Sequence, residues 1–171
     1  MPAIISDCGR YRYWLSRSTE APEKEGTVLF VMLNPSTADH TVDDPTIRKC
    51  RGFSRLWGKA HFEVVNLYAY RATDPDELFR VDDPIGPENG HYLRQILGRH
   101  KYAVCAWGTK ALHEHVEAFF NLARETGTTL FCLDWNKSGS PKHPLYVKYS
   151  KELEPWYLYR LSNSKTKGAD P

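Results

Sequence analysis

The 171-residue chain carries 23 Lys and Arg against 21 Asp and Glu, a net charge of +2, and is 41% apolar and 13% aromatic. That length suits one domain able to bury roughly two-thirds of its unfolded surface, and so balanced a charge neither requires nor excludes a nucleic-acid partner. No apolar run approaches membrane-spanning length and no charged-then-apolar leader opens the chain, so the reading is no membrane partner and a cytoplasmic location.

Residues 8–17, CGRYRYWLSR, interleave Arg10, Arg12 and Arg17 with Tyr11, Tyr13 and Trp14 ahead of a polar loop, STEAPEKEGT. They predict an edge strand pairing antiparallel through that loop, its charges guarding the edge or contacting nucleic acid. Val28 to Leu33 are six consecutive apolar residues, which predicts a strand buried on both faces inside a parallel sheet. Asn34-Pro35-Ser36 stops it, because Pro35 cannot donate to a ladder and holds Asn34 extended. Asp44-Pro45 then reads as N-cap and first helical residue of a helix to about Trp57, with Ile47, Cys50, Phe53, Leu56 and Trp57 at helical spacing.

A second strand is predicted over Phe62–Leu67, which puts Asn66 and Tyr68 near the edge where Asn34 stands. Thr73 or Asp74 caps a short helix from Pro75 to Phe79, and VDDPIGPENG is a turn-rich loop before a helix from Pro87 or Glu88 to Arg99. Tyr102–Trp107 is a third short strand, Thr109 caps a helix to about Arg124, and Thr128–Leu133 is a fourth strand. The exit from that strand, DWNKSGSPKHPLYV, is braced by two prolines around His143.

Strands alternating with amphipathic helices predict an α/β fold, a three-layer αβα sandwich with a short, mostly parallel four-stranded sheet plus the N-terminal antiparallel edge strand. One domain spans residues 1–160, and 161–171 form a solvated tail. Ligands in such sheets bind outside the carboxyl ends of the strands, so Asn34, Asn66, Trp107 and the His143 loop are expected along one rim.

Phosphate-loop, dinucleotide, nucleophile-elbow and H-E-x-x-H signatures are absent, which lowers the weight of the chemistries they serve. Cys8, Cys50, Cys105 and Cys132 are dispersed without a C-x-x-C pair, so no zinc ribbon or thioredoxin motif is available, and Cys105 and Cys132 read as buried thiols. His113 and His115 lie two apart on a helix and cannot share an ion, which assigns them to the surface. Asp39, His40, Asp43 and Asp44 could hold a divalent cation through oxygen ligands, but Asp44 is better explained as an N-cap and the others as loop polarity, and no metal or cofactor is assigned.

The Leu-Asn-Pro-Ser turn after a buried strand, EVVNLYAYRATDP, YAVCAWG and the late His-Pro together resemble the uracil-DNA glycosylase superfamily. There, motifs such as G-I-N-P-G and H-P-S follow the first and last core strands. The likeness is closer to a domain family of unknown function that carries MLNPSTAD, DDPT and VVNLYAYRATDP. By that resemblance Asn34 falls on the Asn that positions the hydrolytic water, and His143 on the His that hydrogen-bonds the base. Leu33, Pro35, Ser36, Asn66, Tyr68, Trp107 and Pro144 become the substrate-binding neighbours. Met32 stands where the first Gly of G-I-N-P-G would be and Leu145 where Ser follows His-Pro, departures that bear more on uracil as the base than on the fold. The resemblance implies an N-glycosidase acting on a nucleobase in DNA or in a free nucleoside or nucleotide, as a monomer. Arg48, Arg51 and Arg55 on the first helix are the candidate phosphate contacts. The alternative reading is a non-catalytic nucleotide or nucleic-acid binding module that keeps the pocket.

Overall fold

Six residues without a polar face have only one stable place, the middle of a sheet, and they take it. β3 (Thr27–Met32) is buried from Val28 onward. The computed structural model describes residues 2–21, 23–36 and 43–157, and within them β3 is the central strand of seven. The others are β1 (Ala3–Ile5), β2 (Arg12–Ser18), β4 (His61–Asn66), β5 (Tyr102–Cys105), β6 (Thr129–Cys132) and β7 (Glu154–Pro155). The order across the sheet is β1-β2-β4-β3-β5-β6-β7. β4, β3, β5 and β6 run parallel, while β1 and β2 on one side and β7 on the other are antiparallel additions.

Helix α1 (Pro45–Leu56) starts as its residues dictate: Asp44 Oδ1 accepts the Ile47 amide at 2.8 Å and Pro45 fills the first turn, where its missing N–H is not needed. α1 buries Ile47, Cys50 and Phe53 against the even-numbered β3 residues Val28, Phe30 and Met32, together with Val64 and Val104. α2 (Asn89–Leu97) and α3 (His113–Thr126) bury Leu93, Ile96, Val116 and Phe119 against the odd-numbered Leu29 and Val31, with Val65, Ala103 and Cys105. Each fully buried Leu, Val or Phe in these two clusters contributes about 1.5–3 kcal/mol. The chain leaves β3 for α1 on one face and returns from β4 through α2 on the other, so neighbouring strand ends open toward opposite faces.

The structure corrects the N-terminal reading. β2 is neither an edge strand nor the partner of β3. It pairs with β4, Leu15 opposite Val64 and Ser18 opposite His61, and β1 covers its other side. The loop after β2 is tied to the start of β4 instead, through Thr19 N to Ala60 O at 2.8 Å and Ala60 N to Gly26 O at 3.1 Å. With neighbours on both sides, β2 buries Arg12 and Arg17 rather than displaying them. The four parallel strands are found, in a sheet of seven rather than four plus one.

α3 begins at His113, later than a Thr109 cap requires, because the Leu112 amide is taken by the Tyr68 hydroxyl at 3.0 Å in place of a local side-chain cap. The short 3-10 turn Pro75–Phe79 is capped by Asp74, one of the two residues predicted. The expected tail, residues 161–171, lies outside the described residues. No helix among the described residues is long and apolar enough to cross a membrane. All four cysteines are free thiols, and burial raises the pKa of Cys50 and Cys105.

Candidate functional site

Where β3 and β4 end on the α1 face, a cavity of about 140 Å³ opens. Asn34, Asn66 and His143, drawn from three distant stretches of chain, all line it.

Asn34 follows β3 and is clamped by its own amide: Nδ2 donates to the Ala72 carbonyl at 2.9 Å and to the Pro35 carbonyl at 3.1 Å. Both amide hydrogens are thereby used, and among the described residues no hydrogen bond to Oδ1 is formed. The group therefore offers the cavity an oriented acceptor, the kind of atom that holds a water by one of its hydrogens. Asn66, the last residue of β4, is 1% exposed, and its Nδ2 has no partner among the described residues. A buried donor left in that state costs about 1–3 kcal/mol, a deficit that a ligand acceptor would relieve.

His143 caps a 3-10 turn, Pro144–Tyr146, and its Nδ1 accepts the Leu145 amide at 3.4 Å. Burial lowers its pKa below the usual histidine value, with Asp44 opposing the shift. At neutral pH the imidazole is uncharged, and with Nδ1 accepting, the proton sits on Nε2 as a donor. The loop that carries it is braced: Asp134 holds Lys142 at 2.9 Å and Lys151 at 3.5 Å, and Gly108 N donates to the Pro141 carbonyl at 3.0 Å. Gly108 has φ +79°, and a Cβ there would meet the His143 Cβ at 3.8 Å, so the strand end and the loop are in near contact.

Of the remaining polar lining, Ser36 was expected beside the substrate, while Asp44 and Thr73 were read as helix caps and Arg12 as a charge on a strand edge. Ser36 Oγ donates to Asp44 Oδ2, which lets one carboxylate cap α1 and face the cavity. Thr46 and Thr73 add hydroxyls. Arg12 reaches the cavity from β2 while only 3% exposed, and burial pulls its pKa down to about 10, with Asp44 opposing and Arg71 and Arg17 adding to the shift. It remains a cation at neutral pH. Its signal in the sequence was the placement of an Arg among rings on a strand, which reads identically for an exposed edge.

Other predicted neighbours lie elsewhere. Leu33 and Trp107 are buried in the cluster under α2 and α3, where Trp107 meets Phe119 and Trp156 edge-on. Tyr68, 1% exposed, turns to the same side and bonds His115 Nδ1 through its hydroxyl at 2.9 Å, so it offers no stacking face to the cavity. This also corrects His115, which is half-buried rather than a surface residue; His113 is exposed. Pro35 and Pro144 are buried braces of the two turns and do not line the cavity.

Arg51 is tied to Asp43 and Glu20 and donates to the Ser18 carbonyl, and Arg48 donates to the Asp43 carbonyl at 2.6 Å. Arg55 is exposed near the end of α1. Asp39 and His40 lie outside the described residues, and among those described no group of three His, Cys, Asp or Glu is placed to hold a metal ion.

A family model described as "Protein of unknown function (DUF1643)" matches residues 12–145. Comparison with curated proteins and with solved structures gives no match, and no link to the uracil-DNA glycosylase superfamily. The chain belongs to the DUF1643 family, whose matched span opens on Arg12 and closes two residues beyond His143, enclosing every residue that lines the cavity.

Proposed function

We propose that this DUF1643 protein recognises a nucleobase and hydrolyses its N-glycosidic bond, in DNA or in a free nucleoside or nucleotide. The observation that carries the reading is the meeting of the Asn34 acceptor and the uncharged His143 donor at one small polar cavity. In the reaction a water oxygen bonds to the anomeric carbon and loses a proton, while the carbon–nitrogen bond breaks and its electron pair leaves on the base, which ends protonated. Asn34 Oδ1 orients the water, and His143 Nε2–H donates to a base oxygen as negative charge grows there. A donor preorganised toward developing charge is worth on the order of 3 kcal/mol. Asp44, which lines the same cavity, stabilises the positive charge that develops on the sugar. The reading carries with it a glycosylase-like αβα arrangement, action as a monomer in the cytoplasm, and, for a duplex substrate, contacts from Arg48 and Arg55 that help meet the few kcal/mol of base flipping.

Because no Phe, Tyr or Trp among the described residues lines the cavity, recognition here runs on hydrogen bonds, with Asn66 Nδ2 available to a second base acceptor. The test is release of free base from oligonucleotides and nucleosides carrying uracil or modified bases. Asn34→Ala and His143→Ala are each expected to lose about a hundredfold or more in rate. Ligand-induced thermal stabilisation without release would replace the enzyme by a binding module, and neither across a wide panel would end the nucleobase reading.

A further inference from the structure

On the opposite face of the sheet, α2 and α3 leave a groove of about 420 Å³, against about 140 Å³ for the polar cavity. Leu67, Ile85, Leu93, Phe119 and Leu122 give it apolar walls. His91, Arg94, Asn121 and Glu125 stand exposed along it, and two polar side chains, Asn89 and His115, lie deeper. Asn89, the first residue of α2 and 0% exposed, donates through Nδ2 to the carbonyls of Asn66 and Leu67, each at 3.1 Å. Asn89 lines the groove, and among the described residues its Oδ1 has no hydrogen-bond partner. Such a buried acceptor is an unfavourable feature that a ligand donor removes.

The second group is His115. Its Nδ1 is hydrogen-bonded to the Tyr68 hydroxyl at 2.9 Å, and that oxygen accepts the Leu112 amide, so the ring is held against the stretch just past β4 and the start of α3. The nearest carboxylate oxygen, on exposed Glu114, is 3.7 Å from Nε2. At the groove Arg94 and Glu125 neutralise one another across α2 and α3 at 2.8 Å, which leaves no net charge to select an ion.

We infer that this groove is a second ligand site, for a neutral, flat, mostly apolar small molecule that presents an N–H or O–H to Asn89 Oδ1. Volume and lining suit a drug-sized or smaller ring system held by apolar contact and oriented by one or two polar groups. Occupancy reaches the polar cavity along two bonds, since Asn89 holds the Asn66 carbonyl and Asn66 lines that cavity. The inference uses only the groove's own groups and stands apart from the chemistry proposed for the other face.

The test titrates the isotope-labelled full chain with indole and with 1-methylindole, which share a ring system and differ in the N–H. Indole is expected to shift the amides of Leu67, Asn89, Leu93 and Phe119 and the side-chain amide of Asn66, with 1-methylindole at least tenfold weaker. Ala118→Trp, a change at an exposed position on the groove, is expected to remove indole binding while the melting temperature holds. No binding of indole, equal affinity for the two rings, or indole binding undiminished in Ala118→Trp would overturn the site, and an unmoved Asn66 side chain at saturation would overturn the coupling.

Discussion

Replacing Asp43 by Ala tests why two arginines that read as surface charges are fixed. Asp43 stands just ahead of α1, 12% exposed; its Oδ1 accepts Arg17 Nε at 2.9 Å, and its Oδ2 pairs with Arg51 Nη2. The side chain of Arg17 is 1% exposed and that of Arg51 18%, so the Arg17 pair is deep and the Arg51 pair nearer water. Removing one partner of a buried pair costs about 3–5 kcal/mol, chiefly because the other charge stays desolvated. The partial exposure of Arg51 holds the figure to about 4 kcal/mol. With a urea slope of about 2 kcal/mol/M the unfolding midpoint should fall by about 2 M. Adding Arg17→Met to Asp43→Ala removes the buried guanidinium itself and should return about half of that loss. A midpoint that moves by less than about 0.5 M in the single variant, or a double variant no more stable than the single one, refutes the reasoning.

Asp44→Ala removes both the bond from the Ile47 amide and the one from Ser36, and should cost about 1–2 kcal/mol in thermal unfolding followed by circular dichroism, whereas Asp44→Asn keeps the cap and most of the stability. Gly86→Ala should cost about 2–4 kcal/mol in urea unfolding, since Gly86 has φ +88° and a Cβ would stand 2.8 Å from the Tyr11 ring, which is stacked on Tyr13 and cannot swing aside. His143 has its folded pKa lowered by burial, so between that value and the unfolded value of about 6.5 the unfolded chain binds the extra proton and stability falls as pH drops. His143→Gln should flatten that part of the profile measured by urea midpoints from pH 7.5 to 5, and an unchanged slope would show that the imidazole is not held neutral.

What the sequence made legible was local. Asp44-Pro45 announces α1 because a cap and its first turn are neighbours in the chain, and the same logic finds Pro75–Phe79. What failed was decided at a distance. Whether β2 pairs with β3 or β4 depends on which strand already flanks β3, and β4 takes that side in full parallel register from Thr27 opposite His61 to Met32 opposite Asn66. Thr109 is a sound cap by type, yet the Leu112 amide finds its acceptor in Tyr68, forty-four residues away. β7 is two residues long and carries a proline, too short for any periodicity to reveal.

The site divides along a different line, the alternation of a strand. Strand ends do gather Asn34, Asn66 and His143, but a sheet rim has two faces, and period two assigns each residue to one of them. At the end of β3 and just past it, Met32 and Asn34 face α1 while Leu33 faces α2 and α3; beyond β5, Trp107 keeps the parity of Ala103 and Cys105 and turns from the cavity. Those two misplacements were readable from numbering alone. Tyr68 was not, because by parity it belongs with Val64 and Asn66. Alternation lapses after β4, where the amides of Leu67 and Tyr68 bond the successive carbonyls of Met32 and Leu33, both at 2.9 Å, and the ring is delivered to the other face. One rim therefore carries a small polar cavity over α1 and a larger apolar groove between α2 and α3, and Asn66 touches both, with its side chain in the cavity lining and its carbonyl on Asn89.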